Sequence, residues 1–183
     1  FGFSLSFINA FVGIFSTSYL ITEEKNKGTL VSLLTTPLKG SELLLGKFLF
    51  NLILCLTFTL LSMLINNRFD LLVRPFALLN CFLFAGTTCF FGYTLGVFFK
   101  NEKEMSVLAP FLLIFFAMGD AMENLSDQVP IGGFFPSYHL VQSLKEVPPL
   151  LSQQLVHTFF TALMFVSTFF MASLYTRFYF SNH

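Results

Sequence analysis

Three sets of residues carry groups that could do chemistry. Residues 40–48, GSELLLGKF, approach a phosphate-binding loop, in which glycine-rich backbone cradles phosphates while a lysine and a hydroxyl hold the phosphates and Mg²⁺. Here five residues separate Gly40 from Gly46 where that loop needs four, and Phe48 stands where Mg²⁺ needs Ser or Thr. The segment also leads into an apolar run and not out of a strand, so nucleotide chemistry is not expected on this chain. The histidines lie far apart in sequence, with His157 inside an apolar run and His139 outside one, and they suggest neither a nucleophile–base pair nor a ligand set. Cys55, Cys81 and Cys89 all fall in apolar runs and are odd in number, which argues against a disulfide framework or a metal site. They read as small packing hydrophobes. The expectation is a chain with no catalytic residue, no metal and no bound cofactor.

The elements around these residues are unusually apolar. Hydrophobic residues make up 55% and charged residues 11% of the 183, with 28 Phe, about half the charge of an ordinary soluble domain. Such a chain cannot cover a core with polar surface, and the solvent it needs is a lipid bilayer. Lys plus Arg balances Asp plus Glu at ten each, and no basic patch interleaved with aromatics occurs, so nucleic acid is not an expected partner. Five runs are long enough, or nearly so, to cross a bilayer as helices: residues 1–22, 44–66, 76–99, 105–122 and 154–176. The fourth is the shortest and contains Pro110, tolerated in a membrane helix when neighbours satisfy the freed carbonyl. The expected fold is therefore all-α and integral to the membrane, a single domain over residues 1–183 with five spans.

Lys and Arg set the orientation. If residues 23–47 are cytoplasmic, Lys25, Lys27, Lys39, Lys47, Lys100, Lys103 and Arg177 lie inside and Arg68, Arg74 and Lys145 outside, in accord with the positive-inside rule. The segment 123–153 carries four prolines and a Gly-Gly pair and only short apolar stretches. That composition suits a re-entrant or interfacial segment on the outer face, with an ordinary loop as the alternative. Small and weakly polar residues recur at helical spacing within the spans: Ser6, Asn9, Gly13 and Ser16, then Ala85, Cys89, Gly92 and Gly96, then His157, Thr161 and Thr168. Gly92 and Gly96 form a G-x-x-x-G that lets backbones approach closely, either within the chain or at a subunit interface.

Between the first two runs lies a charged island, EEKNKGTLVSLLTTPLKGSELLLGK. Thr29 can cap a short helix that puts Leu30, Leu33 and Leu34 on one face, and Pro37 ends it. Gly40 then permits a turn, and Ser41 with Glu42 caps the helix that becomes the second span. An amphipathic helix of this kind either rests in the headgroups or offers its leucines to a cytoplasmic partner.

The residues Glu23 to Thr29, then LLTTPL over 33–38 and SELLLGK over 41–47, closely resemble the cytoplasmic segment of ABC exporter permeases of the type-two class. The resemblance covers about 25 residues, and the order of spans after it, including the broken segment before the last, is also similar to that family. It implies a coupling helix in the segment 23–43 that seats in a groove on an ATP-binding subunit through Glu23, Glu24, Gly28, Thr29, Leu30, Leu33, Leu34 and Pro37. It further implies a second permease subunit, identical or not, ATP and Mg²⁺ held by the partner ATPase, and a multi-pass place in a cell membrane of the bacterial cytoplasmic kind. Permeases of this class usually have six spans, so a first span, and any extracellular domain after it, is expected to be missing before Phe1. Within that frame Asp120 and Glu123, at the outer end of the fourth run, are either a solvated helix end or, with Tyr138 and His139, part of an exit path. Glu102 and Glu104 are either a charged face or a second contact with the ATPase. The rival class is a secondary transporter or embedded enzyme without an ATPase partner, which would need ionisable residues near the bilayer midplane or a catalytic set inside it.

Overall fold

A computed structural model of the chain describes residues 1–29, 40–119, 135–145 and 151–181. These form helices α1 (Gly2–Asn26), α2 (Gly40–Ile65), α3 (Pro75–Phe98), α4 (Glu102–Ala117), α5 (Pro136–Ser143) and α6 (Leu151–Ser181), with a 3₁₀ turn at Phe69–Val73 before α3 and no strand among the described residues. Pro75 occupies the first turn of α3, where its missing N–H has no partner to lose.

Four of the helices, α1, α2, α3 and α6, are long and apolar enough to cross a membrane. The expected fourth span coincides with α4, whose 16 described residues reach about 24 Å, short of a hydrocarbon core of about 30 Å. Residues 120–122 of that expected span lie outside the described residues. The eight-residue α5 is too short to cross, yet Pro136, Ser137, His139, Leu140 and Val141 on it are all buried.

α3 is the centre of the bundle. Of its most apolar stretch 72% is buried, against 56% for α1, 33% for α2 and 11% for α6, so the other helices pack around it and leave their outer faces to lipid. Two kinds of side chain fit α3 to its neighbours. On the α1 side the residues are small: Ile21 and the backbone of α1 lie directly on Gly92 and Gly96, and Thr88 lies on Gly13. On the α2 and α6 side they are aromatic. Phe90 stacks on Phe48 with ring centroids 4.0 Å apart and meets Phe165 and Phe169 edge-on at 5.5 and 5.2 Å. Where α3 comes closest, α1 widens into a π-helical turn over Phe11–Ser16 that includes Gly13, a local irregularity often found at functional positions.

Several polar side chains inside the bundle pair across helices, as a medium without water favours. The Asn9 amide donates to the Leu5 carbonyl at 3.0 Å and to Thr59 Oγ1 at 2.9 Å, tying α1 to α2. Asn80 donates to Thr158 Oγ1 at 3.1 Å, tying α3 to α6. Cys55, Cys81 and Cys89 are buried and unbridged, with the Cys55 and Cys89 sulfurs 3.8 Å apart.

Candidate functional site

The end of the bundle that carries the charged island is organised by the last turn of α1. The expected first span stops at residue 22, but α1 continues through Glu23, Glu24, Lys25 and Asn26. The turn persists because each of its polar side chains finds a partner. Glu24 pairs with Lys47 on α2. Lys25 Nζ reaches the end of α3 and donates to the carbonyls of Val97 at 2.7 Å, Phe99 at 2.6 Å and Gly96 at 3.4 Å. Those carbonyls are the unpaired acceptors of a helix C-terminus, where the dipole also favours a cation. Asn26 donates to Glu102 Oε1 on α4 at 3.3 Å. Glu23 turns back to Lys27 at 2.5 Å, and that hydrogen bond raises the Lys27 ammonium above its ordinary pKa.

Gly28 stops the helix. Its φ of +70° is in the left-handed region, where glycine carries no Cβ penalty, and its N–H donates to the Lys25 carbonyl at 3.1 Å. Thr29 follows with its hydroxyl on the Glu24 carbonyl at 3.1 Å. Leu30, Leu33, Leu34 and Pro37, the expected coupling-helix residues, lie outside the described residues, as do Asp120 and Glu123. The described part of the second helix opens at Gly40, so Gly40 is helical and not the turn expected before the cap.

Glu102 and Glu104 both serve the same end of the bundle. Asn101 is the N-cap of α4: its side-chain oxygen accepts from the Glu104 N–H at 2.9 Å, while Glu104 Oε2 accepts from the Lys100 N–H at 3.3 Å. The Glu104 side chain thus reaches back one residue beyond the N-cap, a variant of the capping box, whose return bond goes to the cap residue itself. Glu102, beside it, accepts from Asn26.

The opposite end has its own polar assembly. Arg68 and Arg74 donate to the carbonyls of Leu144 at 3.0 Å and Lys145 at 2.9 Å, at the C-terminal end of α5, and Asp70 holds both arginines at 3.1 and 3.0 Å. Buttressed by them, α5 brings His139 to His157 on α6, with their Nδ1 atoms 3.1 Å apart. Phe160 stacks on the His139 ring at 5.1 Å, and Tyr138 meets both imidazoles edge-on. The two histidines lie 18 residues apart in sequence. The only signal for their meeting is the apolar spacing of α5, which requires that short helix to pack on a neighbour. No group of three His, Cys, Asp or Glu able to hold a metal occurs among the described residues.

Gly92 and Gly96, the G-x-x-x-G pair, face α1 within the same chain. Among the described residues the arrangement contains no reacting constellation. What it offers is mechanical, since three side chains on one turn of α1, Glu24, Lys25 and Asn26, fasten the base of the island to the ends of α2, α3 and α4. No curated protein and no solved structure shows significant similarity to the chain. The family of ABC-2 family transporter proteins matches it over residues 1–175, nearly its whole length, and the chain belongs to that family of membrane transport components.

Proposed function

We propose that the chain is the permease subunit of an ATP-driven exporter, that ATP is hydrolysed by a separate subunit, and that residues 23–43 carry the coupling between them. One observation carries the reading beyond family membership. Glu24, Lys25 and Asn26, at the base of the island, are bonded to α2, α3 and α4 respectively. A force that reaches the last turn of α1 is therefore passed to the ends of α2, α3 and α4. ATP binding closes the ATPase subunits, the island moves as a lever, and the spans of two permease subunits reorient a pathway between them. In this mechanism the permease contributes geometry and substrate contacts, with Asp120, Glu123, Tyr138 and His139 lining the outer exit. The positive-inside count supports a cytoplasmic island.

The experiment is substitution of Leu33 and Leu34 together by Asp. Each buried leucine is worth about 1.5–3 kcal/mol, so charge at both positions abolishes docking. Co-purification of the ATP-binding subunit and its stimulated ATP hydrolysis are lost, while insertion and thermal stability of the isolated permease are retained. Normal co-purification with normal hydrolysis in the double variant overturns the coupling assignment.

A further inference from the structure

At the island end, a cavity of about 280 Å³ opens between α1 and α2, and the coupling reading makes no use of it. Its walls are apolar, from Leu20, Ile21 and Phe50, and the Glu24–Lys47 ion pair stands at its polar side. Asn51 lies in the same lining with 1% of its surface exposed. The Asn51 amide nitrogen donates to the Lys47 carbonyl at 3.1 Å, but Oδ1 is buried with no hydrogen-bond partner among the described residues. A buried acceptor left unpaired is destabilising, so this atom marks the place of a missing donor. Thr17 lines the cavity as well.

The ligand chemistry follows from three features. The cavity falls just below the range of pockets for drug-sized molecules and holds a headgroup more readily than a whole ligand. Glu24 and Lys47 offset one another, which disfavours a head with net charge and suits one carrying both signs. Phe50 and Ile53 continue from Gly46 on one face of α2, and they are 57% and 63% exposed, an open apolar track for a chain.

We propose that this cavity binds the head of a zwitterionic amphiphile with N–H donors, of the ethanolamine phospholipid kind. The ammonium donates to Asn51 Oδ1, the phosphate faces Lys47, and an acyl chain lies along Phe50 and Ile53. The site requires only that α1 and α2 span a bilayer, not that the chain works with an ATPase, so failure of the coupling test leaves it standing.

The test uses the whole protein purified in mixed micelles with equal amounts of phosphatidylethanolamine and phosphatidylcholine of the same acyl chains, the retained lipid being quantified by mass spectrometry. Choline lacks the N–H donors and is otherwise alike. The expected result is about fivefold enrichment of the ethanolamine lipid, the worth of one net hydrogen bond. Gly46→Phe fills the cavity, and a Cβ at Gly46 meets nothing within 4 Å, so the side chain starts out into open space. It returns the ratio to that of the micelle, as does Asn51→Leu, whereas Gly46→Ala leaves the enrichment intact. Equal retention of the two lipids by the unaltered protein, or enrichment that survives Gly46→Phe, overturns the proposal. Displacement of the lipid by soluble phosphoethanolamine likewise overturns it, by assigning the cavity to a soluble ligand.

Discussion

Gly92 of α3 lies against the backbone of Gly13 in α1, so closely that a Cβ at Gly92 would stand 2.3 Å from the Gly13 carbonyl oxygen. The next atoms it would meet, the Ile14 carbonyl oxygen and Cα at 2.8 and 2.9 Å, are also backbone. No side-chain rotation relieves that contact, and the helices must separate. Gly86 provides the internal comparison. Its Cβ would meet the ring of Phe165 at 2.4 Å, the far end of a side chain on the less buried α6.

Gly92→Ala is therefore expected to lose about 1–3 kcal/mol through overpacking, and Gly86→Ala distinctly less. Thermal unfolding of the two purified variants in one detergent checks the order. A Gly92→Ala protein as stable as the parent means that α1 and α3 do not make this approach.

Lys25→Met removes the donor from the carbonyls of Gly96, Val97 and Phe99 and leaves the end of α3 uncapped. Charge-assisted hydrogen bonds to helix ends support a loss of about 1.5–3 kcal/mol. Lys25→Arg retains a cation there and is expected to recover part of the loss. The thermal midpoints of the three proteins decide it, and identical midpoints for Met and Lys would show that the contact holds nothing together.

At the other end, Asp70 lies between two arginines, and the hydrogen bond from Arg68, with the charges of Arg68 and Arg74, lowers its carboxyl below the ordinary 3.8. A depressed pKa in the folded state contributes stability that is present in full above the ordinary value and is lost as pH falls through the lower folded value. Asp70→Asn is therefore expected to melt slightly below the parent at pH 5 to 7, and the gap closes below pH 3.8. The effect is small because the group is exposed. A gap that persists at pH 2 would mean that Asp70 acts through something other than its charge.

Orientation is tested by single cysteines in a background lacking Cys55, Cys81 and Cys89. Val73, 84% exposed at the end of the 3₁₀ turn, and Lys103, exposed near the start of α4, lie at opposite ends of the bundle. With the island in the cytoplasm, Val73→Cys reacts with an impermeant thiol reagent in intact cells, and Lys103→Cys reacts only after the cells are opened. The reverse pattern inverts the topology.

Class and span placement were legible in the sequence because both are properties of local composition. An uninterrupted apolar run leaves the backbone no partner in lipid but itself, so the runs at 1–22, 44–66, 76–99 and 154–176 had to become helices, and they did so as α1, α2, α3 and α6. The spacing of Gly92 and Gly96 likewise announced a close helix contact, but not its partner. What tertiary structure decided were pairings between distant residues. Lys25 meets the end of α3 more than 70 residues away, Asn9 meets Thr59 across 50, and His139 meets a histidine on another helix. No local pattern encodes these, because they depend on the rotation and depth at which whole helices settle. The same cause extended α1 through Glu23 to Asn26, where four polar residues read alone resemble a loop. The helical form of Glu24, Lys25 and Asn26 rests on partners that only the packed bundle brings within reach.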